Sequence, residues 1–333
     1  MSRDTKERLT AFLRNAELGE IIAELTPDAS TRDFFRLQGN GKTLIACVYA
    51  NGDEEGSRQL VDVTNLFLRA GIPVAGIVNA SLEQGIVIIE DLGDRILRDE
   101  LQTTSPGERD RLLDSAIDLI ASIQAATELA ISSGSIAGKL RFDSEKLLWE
   151  LNFFREHYFS SLRGLQLEAT IDKKLTNEFT ELSGWLEERA SVLCHRDFHA
   201  ANLMIRSDGS LAIIDHQDAR IGSTAYDLVS LLLDRITEPP TDEWLAEMIA
   251  HFMRARKEHG LPTLYSTEFM IEFDHQTVQR CLKAVGTFSY QSAFRDKKHF
   301  EAYIKPMFNV VVRSIDRLGE YPNLRRVLEA EIA

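Results

Sequence analysis

Cysteine is scarce in this chain. Only Cys47, Cys194 and Cys281 occur among 333 residues, far apart and with no CxxC pair. An odd, sparse set of this kind suits reduced thiols in a cytoplasm rather than a disulfide framework. Long apolar runs are missing too. None approaches the roughly 18 residues a membrane span needs. The opening residues, MSRDTKERLT, lack the apolar core of a signal peptide, so a cytoplasmic location is expected. Positive charge is in deficit: 38 Lys and Arg face 52 Asp and Glu, a net charge of -14. That argues against a general nucleic-acid or anionic-membrane surface. It leaves room for a phosphate site, because a local cation or metal can reverse the field there. Internal repeats and low-complexity segments are absent as well.

What is present is an ordinary globular composition, 44% hydrophobic and 27% charged, long enough for about two domains. Residues 5–16 put Leu9, Phe12, Leu13 and Ala16 on one helical face. The period then changes. RDFFRL and TLIACVY are strand-like around the turn QGNGK. A helix follows with Leu60, Val63, Phe67 and Leu68 on one face, ended by Gly71 and Pro73. VAGIVNA and GIVIIED give two more strands around SLEQG. Beyond Asp94 the pattern is mostly helical. Ser105-Pro106-Gly107-Glu108 starts a helix running to about Leu129. Asp143 caps another with Leu147, Leu151, Phe154 and Tyr158. Further helices are expected over 172–189, 223–236, 241–258, 267–292, 298–316 and 322–331. The fold class is α+β: a small antiparallel β-rich lobe over 1–92 and a larger helical lobe over 93–333.

One stretch interrupts the helical half: HRDFHAANLMIRSDGSLAIIDHQD, His195 to Asp218. LMIR and LAII are strand-like and flank Asp208-Gly209, which favours a two-residue type I′ turn. That turn sets Leu203 opposite Ile214 and Asn202 opposite Asp215, on the same side of the hairpin. An amide oxygen beside a carboxylate suits a hard cation, most naturally Mg²⁺. Asp197, five residues before Asn202, is placed to accept or orient a hydroxyl proton while a metal holds phosphate oxygens. The chemistry indicated is phosphoryl transfer. Asp208 reads as a turn residue, and His195 as a packed or backbone-bonding residue rather than a catalyst.

These residues resemble the aminoglycoside phosphotransferase and choline kinase superfamily, with its bilobal protein-kinase-like fold. The resemblance implies that Asp197 is the catalytic base, that Asn202 and Asp215 are metal ligands, and that Asp227 in AYDLVSLLLD braces the catalytic loop with His195. DASTRDFFRL, IIEDLGD, HRDFHAANLM, IDHQDARIGSTAYDLVSLL and VQRCLKAVGTFSYQSAFRD follow in order along nearly the whole chain. Together they are similar to the anomeric kinases of N-acetylmuramate and N-acetylglucosamine, which use ATP to phosphorylate the sugar's C1 hydroxyl in cell-wall recycling. By the same resemblance Asp28 to Arg36 covers the nucleotide, with Ser30, Thr31 and Arg32 on its phosphates. Glu90 to Leu92 lies where the lobes join and backbone groups meet adenine. The acceptor candidates are Asp218, Arg280 and Lys283, the two cations being suited to a lactyl carboxylate.

The sequence also departs from the kinase pattern. There is no G-x-G-x-x-G loop, and Cys47, Val48 and Tyr49 stand where many kinases carry a strand lysine. The sugar-kinase group tends to have Met-Asp there. Asp-His-Gln replaces Asp-Phe-Gly. The function implied is a Mg-ATP-dependent kinase for a small amino sugar. Alternatives are the same chemistry on an aminoglycoside, choline-like or other acceptor, and a nucleotide-binding pseudokinase acting as an interaction module. A metallohydrolase using His195, Asp197 and His199 is more remote, because the hairpin selects oxygen ligands. The oligomeric state is open.

Overall fold

A computed structural model describes residues 3–25, 32–39 and 41–333. Asp28, Ser30 and Thr31, expected over the nucleotide, lie outside the described residues. In chain order the elements are α1 (Arg3–Ala16), β1 (Glu20–Leu25), β2 (Asp33–Gly39), β3 (Lys42–Val48), α2 (Glu54–Arg69), β4 (Ile77–Ser81), β5 (Ile86–Glu90), α3 (Leu97–Thr103), α4 (Pro106–Ala125), α5 (Thr127–Ser132), α6 (Ile136–Lys139), α7 (Ser144–Arg155), α8 (Ala169–Glu187), β6 (Val192–Cys194), β7 (Leu203–Ile205), β8 (Leu211–Ile213), β9 (Arg220–Gly222), α9 (Tyr226–Leu233), α10 (Asp242–Glu258), α11 (Ser266–Arg295), α12 (Ile304–Leu318) and α13 (Pro322–Ile332). The fold is the expected α+β one. The chain divides into two compact units: Met1–Leu112 with Glu128–Ala137 and Ala200–Ala219, and Leu113–Thr127 with Gly138–His199 and Arg220–Ala333. The hairpin β7–β8 thus groups with the sheet-bearing unit.

The first unit holds a five-stranded antiparallel sheet in the order β1-β2-β3-β5-β4. Side chains alternate across a strand, so each strand serves two faces. Phe35, Leu37, Ala46, Val48, Ile86 and Ile88 meet Leu9 and Leu13 of α1 on one face. Cys47, Tyr49 and Val87 meet Leu60 of α2 on the other. A helix on each face explains why these strands are apolar almost throughout. Leu68, expected on the buried face of α2, is 44% exposed.

The second unit is built around α11, a 30-residue helix packed by α7, α9 and α12. Gly286 lets α11 approach α7 closely: a Cβ there would lie 2.7 Å from the Phe154 Cα. Asp143 caps α7 as expected, its carboxylate accepting from the Lys146 N–H at 2.7 Å. Tyr158 falls beyond α7, in a π-helical turn. The helix expected to reach Leu129 stops at Ala125. There the Thr127 hydroxyl donates to the Gln124 carbonyl at 2.6 Å and accepts from the Leu193 N–H at 2.8 Å.

Candidate active site

The hairpin corrects one expectation. Its pairs are Leu203 with Ile213, Met204 with Ala212 and Ile205 with Leu211, one residue away from the two-residue-turn register. The loop is Ser207-Asp208-Gly209, closed by the Arg206 N–H on the Ser210 carbonyl at 2.9 Å and the Gly209 N–H on the Arg206 carbonyl at 3.0 Å. Gly209 at φ +84 supplies the left-handed residue that a three-residue loop needs. The Asp208 carboxylate accepts from the N–H and hydroxyl of Ser210, which holds the longer loop. Asn202 therefore does not face Asp215. It ends a 3₁₀ turn, and its carbonyl accepts from the Ile214 N–H at 3.0 Å. Asp215 follows in the left-handed region at φ 63. A non-glycine residue rarely adopts that conformation, and where it does the site is often functional.

In the first unit the Asp215 carboxylate is ion-paired with Arg32. The second guanidinium branch of Arg32 donates to the Gln217 amide oxygen at 3.0 Å. The Gln217 amide nitrogen returns to Asp215 at 3.1 Å and reaches Asp218 at 3.3 Å. The guanidinium carbon lies 5.3 Å from the Phe34 ring centre and 5.7 Å from that of Tyr49. Burial opposes the charge on Arg32, but Asp215, Tyr49 and Cys47 together keep its pKa above the ordinary arginine value. Arg32 thus places a cation beside Cys47 and Tyr49, where the strand lysine is missing. Burial pushes both of those groups up to about 12, with Arg32 opposing, so thiol and phenol stay neutral. His216 is buried, 2.7 Å from the Thr64 hydroxyl of α2 and stacked on Phe67.

At the end of β5, the Glu90 carboxylate accepts from the Gly76 N–H at 3.0 Å. Leu92 is half-buried, and Asp91 beside it pairs with Arg36 at 2.7 Å.

The second unit carries Asp197. Its carboxylate is 2.7 Å from the Lys283 ammonium, 3.6 Å from Arg280 and 3.9 Å from Arg196. Burial opposes ionisation of Asp197. Lys283, Arg196 and Arg280 outweigh it and hold the carboxyl well below the usual carboxylate range. Burial lowers Lys283 below the ordinary lysine value, with Asp197 opposing. The lowered carboxyl keeps Asp197 ionised near neutrality. Arg280 was expected to meet a substrate carboxylate. It is instead buried at 2% exposure and donates to the Ser230 hydroxyl at 2.8 Å and to Asp234 at 2.9 Å. Its charge is committed inside the protein. Asp218 belongs to the first unit, where the Gln217 amide nitrogen reaches it at 3.3 Å.

The loop that presents Asp197 is tethered from α9. The buried Asp227 carboxylate accepts from the His195 N–H at 2.6 Å and the Arg196 N–H at 3.0 Å. Arg196 sits at φ 87, a second left-handed non-glycine position. Burial raises the Asp227 pKa to about 6, with the His195 side chain and the two N–H donors opposing. The His195 side chain is fully buried, edge-on to Phe198. Burial lowers His199 to about 4, so it is neutral near pH 7. Among the described residues, no group of three or more His, Cys, Asp or Glu is arranged to hold a metal ion.

Sequence reasoning missed Glu150, Asp234 and Gln217. The first two had a signal: a carboxylate among the apolar residues of α7, and one closing the run LLLD. Glu150 is 1% exposed, lies 3.8 Å from Arg196 and accepts from Gln279 at 2.9 Å.

Residues 21–290 match the model of the phosphotransferase enzyme family. The chain belongs to that family. Among this phosphotransferase's relatives is the N-acetylmuramate/N-acetylglucosamine kinase of Pseudomonas aeruginosa, 30% identical over 93% of this chain and 84% of the relative. The gentamicin–APH(2″)-IIa complex shares the fold at a TM-score of 0.65 and 14% identity, covering 98% of this chain and 99% of that one. The ADP-bound aminoglycoside phosphotransferase APH(2″)-Ib superposes at 0.62 and 14% identity, covering 91% and 97%. The kinase-like fold of the phosphotransferase is therefore shown by several solved structures. Among its described residues no helix is long and apolar enough to cross a membrane.

Proposed function

We propose that this phosphotransferase is a Mg-ATP-dependent kinase that phosphorylates the anomeric C1 hydroxyl of N-acetylmuramate or N-acetylglucosamine. The observation that carries it is Asp197: an ionised carboxylate, ringed by cations, on a loop tethered through two backbone N–H groups. The name of the Pseudomonas aeruginosa relative supports the acceptor, and the ADP in APH(2″)-Ib supports the nucleotide.

In this reading Asp197 accepts the proton of the acceptor hydroxyl as its oxygen attacks the γ-phosphorus, while the bond from that phosphorus to the β–γ bridging oxygen breaks and ADP leaves. Phosphoryl transfer asks mainly for positioning and charge stabilisation. Arg32, with Ser30 and Thr31, holds the phosphates. The peptide groups of Glu90 to Leu92 meet the adenine. Asp227 and His195 keep the catalytic loop in place. Asp215 and Asn202 are the metal ligands. Asp215 draws a guanidinium in the structure, and Gln217, hydrogen-bonded to it, adds an amide oxygen, donors of the hard type that Mg²⁺ takes. Bound magnesium supplies charge neutralisation on the β- and γ-phosphates. Residues 1–92 serve the nucleotide, and 93–333 carry the catalytic loop, the metal ligands and the acceptor site. The three buried free thiols suit a cytoplasmic enzyme.

The test is ADP release with Mg-ATP across amino sugars, aminoglycosides and choline, with the product's phosphate located by NMR. Turnover of N-acetylmuramate or N-acetylglucosamine at C1 is expected. Turnover confined to aminoglycosides or choline would replace the acceptor. Phosphate at C6 would remove the anomeric assignment, and absence of nucleotide binding would reject the kinase reading.

A further inference from the structure

Lys283 and Arg280 sit one turn apart on α11 and both point their charge at Asp197. Their surroundings differ. Arg280 has Asp234, at the end of α9, as its nearer carboxylate at 2.9 Å. Arg196, from the catalytic loop, has Glu150 of α7 at 3.8 Å and Asp197 at 3.9 Å. Lys283 is paired with Asp197 at 2.7 Å, the shortest contact in the cluster. Lys283, Arg280 and Arg196 thus face Asp197, Asp234 and Glu150, and Arg235 adds a further cation 3.8 Å from Asp234. His199, Tyr226, Asp227, Lys146 and Cys281 are further titratable groups that act on the cluster's members. His199 is held neutral near pH 7, and burial keeps Tyr226 neutral.

Such a cluster stays ionised only while it is balanced, because an uncompensated buried charge is costly and tends to be neutralised by a shifted pKa. Removing the Lys283 ammonium would take from Asp197 its nearest cation, the one at 2.7 Å. We propose that Lys283 is the positioning residue for the base: its ion pair fixes the Asp197 carboxylate in place and sets the lower pH limit of turnover. This differs from a role in reading the lactyl carboxylate of an acceptor, since the ammonium is already held by a carboxylate of the protein.

The inference rests on the kinase reading and sharpens its acceptor chemistry. A carboxylate held by cations is a weak base, and a weak base is matched to a hydroxyl that releases its proton readily. The hemiacetal hydroxyl of a free sugar is the most acidic of its hydroxyls, because the ring oxygen withdraws electron density.

The experiment measures kcat/KM between pH 4 and 9 for wild type, Lys283→Met and Lys283→Arg, with both N-acetylglucosamine and N-acetylmuramate. In Lys283→Met the acid limb moves to higher pH by about one unit or more with both sugars, as loss of an adjacent opposite charge requires. Lys283→Arg leaves the limb near its wild-type position. An unmoved limb with a uniform loss of rate overturns the proposal. So does an effect confined to the KM of N-acetylmuramate, which would make Lys283 a reader of the lactyl group. A wild-type enzyme that turns over neither sugar would reject the amino-sugar reading instead. The pair is then tested by ¹³C NMR of the aspartate carboxyls, with Asp197→Asn to assign the resonance. Titration of wild-type Asp197 below the ordinary aspartate range is expected, even if Lys283→Met fails to fold. Titration within or above that range overturns the inference.

Discussion

Arg32 and Asp215 form an ion pair across 183 positions of sequence. It joins the start of β2 to the segment after β8, and Gln217 bridges both partners. The chain has no lysine in the strand where many kinases carry one, and this guanidinium lies over Tyr49 of that strand's end. If Arg32 serves the nucleotide phosphates, Arg32→Ala should lower kcat/KM for ATP by about ten- to a hundredfold, the worth of charge-assisted hydrogen bonds. KM for the sugar should change little. Arg32→Lys should recover part of the loss, because it keeps the charge but not the fork. Steady-state kinetics with each substrate varied in turn decides the matter.

Asp227 ties the catalytic loop to α9 through two backbone N–H groups. Asp227→Ala leaves both donors buried without their acceptor, and should cost about 2–4 kcal/mol in chemical denaturation at pH 7. Its pH signature has a definite sign. The folded-state pKa is raised to about 6, above the unfolded aspartate value near 3.9. The folded protein therefore binds this proton more tightly. The stability so gained is complete below pH 4 and is lost as pH rises through 6. Relative to Asp227→Asn, wild-type stability should fall by about 3 kcal/mol over that window and level off above it. An opposite slope would show that burial does not dominate this carboxyl.

Gly286 marks where α11 and α7 touch. A methyl group there would meet the Phe154 backbone, which has no side-chain freedom with which to yield. Gly286→Ala should destabilise the protein by about 1–3 kcal/mol despite the better helix propensity of alanine. Thermal and urea unfolding check this, and a stabilised variant would contradict the close packing.

Much of this was readable from periodicity. Strands β2 to β5 and helices α1 and α2 follow their apolar patterns, and the order H-R-D-x-x-x-x-N marks the loop that carries Asp197. Strand β1 was not readable, because the adjacent Ile21 and Ile22 break alternation. The register shifts there, and Ile22 is 50% exposed. The helix expected over 298–316 splits into a 3₁₀ turn and α12, whose first turn holds Pro306, a residue without an N–H to continue an earlier helix. The hairpin register was missed because Asp-Gly suits both a two-residue and a three-residue loop, and one residue of slip changes every facing pair. The left-handed Arg196 and Asp215 carry no sequence signal, since either residue type adopts ordinary backbone elsewhere. Nor do the ion pairs of Arg32 and Lys283, which depend on positions brought together only by folding.

The most direct measurement is ADP release by Asp197→Asn with saturating Mg-ATP and amino sugar, alongside nucleotide affinity. Asparagine keeps the shape of the side chain but cannot take a proton. Turnover should disappear while ATP binds as it does to the wild type. Full turnover by the variant would contradict the role of Asp197 as proton acceptor.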